Sequence, residues 1–186
     1  MQNEINNTLT ALKQGKTILY PTDTVWGIGC DATNFKAIEK VFKLKQRDES
    51  KALICLVSDF KMLEQYVENV PEVAYDILKY ANKPTTIIYD KPIRVSENLV
   101  AADNTLAIRV VREGFANKLI RKLRKPLVST SANVSGEHTP KSYKEISDHI
   151  LKGVDYVVNL QNVKSTNKPS AIIKISNDGM VKVIRE

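Results

Sequence analysis

Residues 126–136 read PLVSTSANVSG. The apolar start, Leu127-Val128, is a strand signature, and it runs directly into four hydroxyl-bearing residues and an asparagine that are unsuited to a core. In an extended chain side chains alternate between faces, so Ser129, Ser131 and Asn133 point one way while Thr130 and Ala132 point the other. Three small hydrogen-bonding groups then line one wall at the end of a strand. Composition alone reads equally as a polar strand end entering a Ser/Gly turn.

Working outward, the strand 126–129 follows an amphipathic helix, FANKLIRKL (115–123), which itself follows a strand, TLAIRVV (105–111). Toward the N-terminus, Ile5, Leu9 and Leu12 recur at helical spacing and Gly15 closes the helix. TILY (17–20) reads as a strand and VWGIGCDA (25–32) as a strand broken by Gly27 and Gly29. Phe35, Ile38, Val41 and Phe42 restore a helical period in 34–45, with Asn34 or Thr33 as its cap. ALICLV (52–57) is a fully apolar strand, after which Ser58 caps a helix at 59–67, and Pro71 opens another at 71–80. TTIIY (85–89) is a strand, and Ser142 to Glu145 form a capping box opening a helix that stops near Gly153. SAIIKI (170–175) and MVKVIR (180–185) are strands joined through Asn177-Asp178-Gly179, a hairpin signal. Alternating strands and helices ending in a hairpin predict one α/β domain over 1–186, with a mixed sheet and flanking helices.

The sequence has 28 Lys plus Arg against 21 Asp plus Glu, a net charge of +7, which favours an anionic partner: a nucleic acid or a phosphate-rich small molecule. The basic run KLIRKLRK (118–125) also reads as a solvated helix face. Cys30 and Cys55 lie in apolar strands without a CxxC pair and are expected as reduced, buried thiols. The N-terminus lacks a basic segment followed by an apolar one, and no apolar run is long enough to span a bilayer, so a cytoplasmic location without membrane contact is expected.

Two further stretches supply chemistry. In YPTDT (20–24), Thr22 and Thr24 share a face with Asp23 opposite, either a ligand site at a strand's end or an ordinary turn. In KLKQRDESKA (43–52), Lys45 and Arg47 converge on one side only if the helix has ended by about Leu44; a cationic helix terminus is the other reading. Such a pair holds phosphates, the Arg as a fork and the Lys as a point charge. The chain has no GxxxxGK[ST], HExxH or GxSxG, and the GxG at 27–29 lacks a third glycine. His138 and His149 have no evident ligand partners.

The order of YPTDTVWGIGCDA, KQR, KPTTII, AIRVV, VSTSANVSG and KPSAIIKI, spread over residues 9–185, resembles the YrdC-like family of threonylcarbamoyl-AMP synthases, in its single-domain bacterial form. The resemblance implies a twisted α/β fold around a basic cavity. It also implies synthesis of L-threonylcarbamoyladenylate and pyrophosphate from L-threonine, bicarbonate and ATP, with Mg²⁺ accompanying the ATP through ligands that the sequence does not identify. Downstream tRNA threonylcarbamoyl transferase proteins would pass the group to an adenosine of tRNA, and contact of this chain with tRNA is left open. The catalytic set implied is Lys45, Arg47, Ser131 and Asn133. Thr24, Ser129 and Ser170 would hold threonine, and Thr86, Thr139 and Arg185 would join the catalytic four around the nucleotide. The chain departs from the family pattern at Lys83, Val111 and Ala171. Loops 46–51 and 160–169 are expected to close over the site. A non-catalytic module binding double-stranded RNA or tRNA is the alternative, although a single Trp and the lack of an RNP-like aromatic pair give it little support.

Overall fold

The structure is a computed structural model that describes residues 1–48, 53–160 and 169–186. Its elements in chain order are α1 (Gln2–Lys13), β1 (Ile18–Pro21), β2 (Trp26–Gly29), α2 (Phe35–Lys45), β3 (Ile54–Val57), α3 (Phe60–Leu63), α4 (Glu72–Tyr80), β4 (Thr85–Asp90), β5 (Thr105–Val110), α5 (Gly114–Leu123), β6 (Leu127–Ser131), α6 (Asp148–Gly153), β7 (Tyr156–Val157), β8 (Ala171–Ile175) and β9 (Val181–Arg185). The strands form one mixed sheet in the order β7-β1-β2-β6-β3-β5-β4-β8-β9. The β8–β9 hairpin forms at the predicted turn, with Gly179 at φ +84.

Alternation along the strands divides the core into two layers. On one face Leu19, Ile28, Cys55, Val57, Val128, Ile87 and Ile108 pack under α2, α4 and α6. On the other, Ile18, Tyr20, Leu56 and Leu127 pack under α1 and α5 through Ile5, Leu12, Phe115, Leu119 and Ile120. That second cover is shorter than the sheet. Leu127 lies beneath it, but Ser129 and Ser131, next on the same face of β6, line open space. The uncovered part of the face is the hollow described below.

Local expectations are adjusted in three places. Asn34 caps α2, its side-chain oxygen accepting from Ala37 N at 3.1 Å. Asp59, not Ser58, caps α3, because the Asp59 carboxylate reaches Met62 N at 2.9 Å, and the helix is a single turn rather than 59–67. Ser142 and Glu145 do bond at 3.0 Å, but they close a 3₁₀ turn at Tyr143–Glu145, and the helix proper starts at Asp148. Cys30 and Cys55 are buried free thiols whose pKa burial raises. Among the described residues no helix is long and apolar enough to cross a membrane.

Candidate active site

β6 lies between β2 and β3, with Gly27 opposite Ser131 and Ile54 opposite Ser129. This places the Ser129 and Ser131 hydroxyls near the middle of the sheet, at the floor of a hollow of about 330 Å³, the scale of small-molecule sites. Gly27 keeps that floor open: a Cβ there would stand 3.3 Å from both Ser129 Oγ and Thr22 Cγ2. Thr22 and Thr24 from the β1–β2 turn, Arg109 of β5, Thr139, Ser170 and Arg185 of β9 complete the polar wall, together with Arg47. Three guanidinium groups and a row of hydroxyls therefore share one space whose described lining includes no carboxylate.

Arg47 reaches this space because α2 ends in a left-handed residue. Helix α2 continues through Lys45, one residue past the point at which Lys45 and Arg47 would converge on one side, and Gln46 adopts φ 48. Lys45 consequently follows a different course from Arg47. Its side chain is 1% exposed and its ammonium donates to the carbonyls of Ser131 at 2.5 Å and Asn133 at 2.6 Å. It ties the helix on one face of the sheet to the serine ledge on the other, and Ser135 N donates back to Lys45 O at 2.8 Å. Burial, and to a lesser extent the neighbouring Arg47, lowers the Lys45 pKa to about 8, while the two carbonyls favour the protonated form. Burial also lowers the pKa of Arg47 and of Arg185.

Asn133 departs from the simple alternation because β6 ends at Ser131. Its amide nitrogen donates to the carbonyls of Val134 and Glu137 at 2.9 Å each, which folds the following loop, and its Oδ1 is buried without a partner among the described residues. Thr86 stands behind the wall: its hydroxyl lies 2.8 Å from that of Ser170, which itself lines the hollow. Arg185 secures the same residue, donating through Nε and Nη2 to Ser170 O at 3.0 and 2.8 Å. The segments expected to close the site fall largely outside the described residues, at 49–52 and 161–168.

Arg109 has no assigned role in the sequence reading, yet it is central. Its side chain is 5% exposed, with Nη2 on Asp23 Oδ1 at 2.9 Å and Nη1 on Thr24 Oγ1 at 3.3 Å, and Nε is buried without a partner among the described residues. A lone cation in the otherwise apolar run TLAIRVV was the available signal, since a buried charge requires partners. The departures at Lys83 and Val111 lie on a second cavity of about 320 Å³, which Asp23 also lines. That cavity lacks the convergent hydroxyls. Ala171 is buried on β8 opposite Thr85 and does not line the hollow, so its missing hydroxyl leaves the wall unchanged.

The family model for the Sua5, YciO and YrdC proteins, described as telomere recombination, matches residues 10–186. The chain is 34% identical over 176 residues to the threonylcarbamoyl-AMP synthase of Pseudoalteromonas translucida, covering 92% of each chain. It is 32% identical over 175 residues to that of Vibrio vulnificus, covering 92% of this chain and 94% of the relative. Among solved structures it is similar to P. abyssi Sua5 complexed with L-threonine, with TM-score 0.84 and 25% identity over 92% of this chain. The chain spans about half the length of that Sua5 chain, 50%.

Proposed function

Because the chain belongs to the Sua5/YciO/YrdC family, we propose that it is an L-threonylcarbamoyladenylate synthase, a nucleotidyltransferase that converts L-threonine, bicarbonate and ATP into threonylcarbamoyl-AMP and pyrophosphate for tRNA modification. The observation that carries this reading is the convergence of Arg47, Arg109 and Arg185 with the Ser129–Ser131 hydroxyls on one hollow free of lining carboxylates among the described residues. Such a lining suits a carboxylate and a polyphosphate together.

In this reading Arg109, buried at the wall of the hollow and held from below by Asp23, takes the threonine carboxylate. The amine adds to carbon dioxide formed from bicarbonate, giving the carbamate and releasing one proton. A carbamate oxygen then attacks the α-phosphorus, and the bond to the β-phosphate oxygen breaks as pyrophosphate leaves. Arg47 and Arg185 meet the negative charge that develops, and the Ser131 hydroxyl orients the phosphates. Lys45 acts from beneath, setting the Ser131 and Asn133 backbone against the nucleotide.

Among the described residues no three His, Cys, Asp or Glu side chains group as a metal site. Mg²⁺ would enter here with ATP, and the Ser131 hydroxyl on the floor of the hollow is a neutral oxygen that could help hold it. Bound in this way it would neutralise part of the triphosphate charge. The threonylcarbamoyl group would pass to partner transferase proteins in the cytoplasm.

Pyrophosphate release tests the reading. We expect release only when ATP, L-threonine and bicarbonate are all present, and threonylcarbamoyl-AMP as co-product. No turnover, with steeply salt-dependent RNA binding instead, would favour a nucleic-acid module.

A further inference from the structure

Asp23 and Arg109 form an ion pair whose two members face different cavities. Arg109 lines the hollow, whereas Asp23 lines the second cavity, of about 320 Å³. Arg109 Nη2 donates to Asp23 Oδ1 at 2.9 Å, and Oδ2 has no partner among the described residues. The second cavity is thus one carboxylate away from the guanidinium assigned to the substrate.

The two spaces differ in charge. The described lining of the hollow holds three guanidiniums and no carboxylate, but the second cavity sets Lys83 and Arg112 against Asp23 and Glu113. Arg112 is fixed there by Nη2, which donates to the carbonyls of Leu78 and, at 3.4 Å, Lys79. Its Nε and Nη1 have no partner among the described residues. An anion such as a phosphate is repelled here by the two carboxylates, and a simple amine by the two cations. A zwitterion satisfies both signs. Phe60, Leu78, Val110 and Val111 form the apolar part of the lining and suit a hydrocarbon side chain. Lys83 and Val111 are also positions at which this chain departs from its family pattern, so part of this wall is the chain's own.

We propose that the second cavity binds a free α-amino acid with an apolar side chain, and that its occupancy is felt at Arg109. The ligand's ammonium sits on Asp23 Oδ2 and its carboxylate on Lys83 and Arg112. A cation on Oδ2 draws on the carboxylate charge that holds Arg109 and loosens that pair, so Arg109 loses the anchor that sets it against a substrate carboxylate. The site stands without the synthase reading; its effect on threonine rests on that reading.

Isothermal titration calorimetry with L-leucine as the probe tests the site. L-leucine is expected to bind wild type, to bind Lys83→Glu roughly tenfold more weakly, and to bind Arg47→Ala, altered in the hollow, with wild-type affinity. Lys83 is exposed, so its substitution leaves the fold and the basal kinetics unchanged. In steady-state kinetics saturating L-leucine raises KM for threonine about fivefold, the size of a modest coupling between sites, and leaves KM for ATP at its value. The same concentration has less effect on Lys83→Glu. No binding, or affinity lost in Arg47→Ala and kept in Lys83→Glu, overturns the site. Binding at the second cavity with KM for threonine unmoved overturns the coupling. A wild-type chain that binds L-leucine there and makes no adenylate overturns the synthase reading and leaves the site in place.

Discussion

Lys45 is a signature lysine that points away from the space its motif implies. It is 1% exposed and spends its ammonium on two backbone carbonyls of the serine ledge. Burial and Arg47 lower its pKa from 10.5 to about 8. Between those values the unfolded chain holds a proton that the native chain has released. The contribution of this residue to native stability accordingly rises with pH across that window and is smallest below about 8. Activity runs the other way, because deprotonation releases the Ser131 and Asn133 carbonyls, so kcat/KM of the free enzyme falls as pH rises through about 8. Urea unfolding and kcat/KM measured against pH check this together. Lys45→Met is expected to lose most activity, and the wild-type unfolding free energy should gain on that of the variant between the two pKa values. Parallel unfolding profiles would remove the titration. At this scale the sequence displayed the residue types well, since a Lys, an Arg and spaced hydroxyls are visible in any reading. It did not display that Lys45 acts through backbone or that Arg109 faces the hollow, because both depend on segments far apart in the chain.

At the scale of the element, strand β2 shows how one pattern serves two purposes. Gly27 and Gly29 lie two apart and so face the same side. A Cβ at Gly29 would stand 2.4 Å from Val128 O and 2.8 Å from the Tyr20 ring, beneath the α1–α5 cover where backbone cannot give way. A Cβ at Gly27 would meet Ser129 Oγ and Thr22 Cγ2 at 3.3 Å, on the floor of the hollow. Gly29→Ala is expected to destabilise the fold by about 3 kcal/mol through overpacking. Gly27→Ala should retain most stability and raise KM for threonine. Denaturant unfolding and kinetics on the two variants distinguish these effects, and equal behaviour of both would contradict the division of the sheet face. The sequence shows both glycines as breaks in a strand but not which of them lies under the helices. Helix α2 was similarly legible in its period and its Asn34 cap. The left-handed conformation of Gln46 that follows its end at Lys45 was not, because that turn involves no glycine and leaves no compositional mark.

At the scale of the whole molecule, the alternation of strands and helices and the closing hairpin could be read directly, since each is set by local periodicity and turn chemistry. Strand order could not. Ser131 pairs with Gly27 and Ser129 with Ile54 across long stretches of intervening chain, and nothing local fixes which strands β6 joins. That pairing builds the site: with β6 between β2 and β3, and β8–β9 bringing Ser170 and Arg185 round from the other end, hydroxyls and guanidiniums from remote segments meet over one uncovered face. The most direct test is a crystal structure of the chain with L-threonine and an ATP analogue bearing a methylene between the α- and β-phosphates, which prevents transfer. The predicted density has phosphates against Arg47 and Ser131 and the amino-acid carboxylate on Arg109. Nucleotide bound instead in the cavity beside Lys83 and Val111, with this hollow empty, would contradict it.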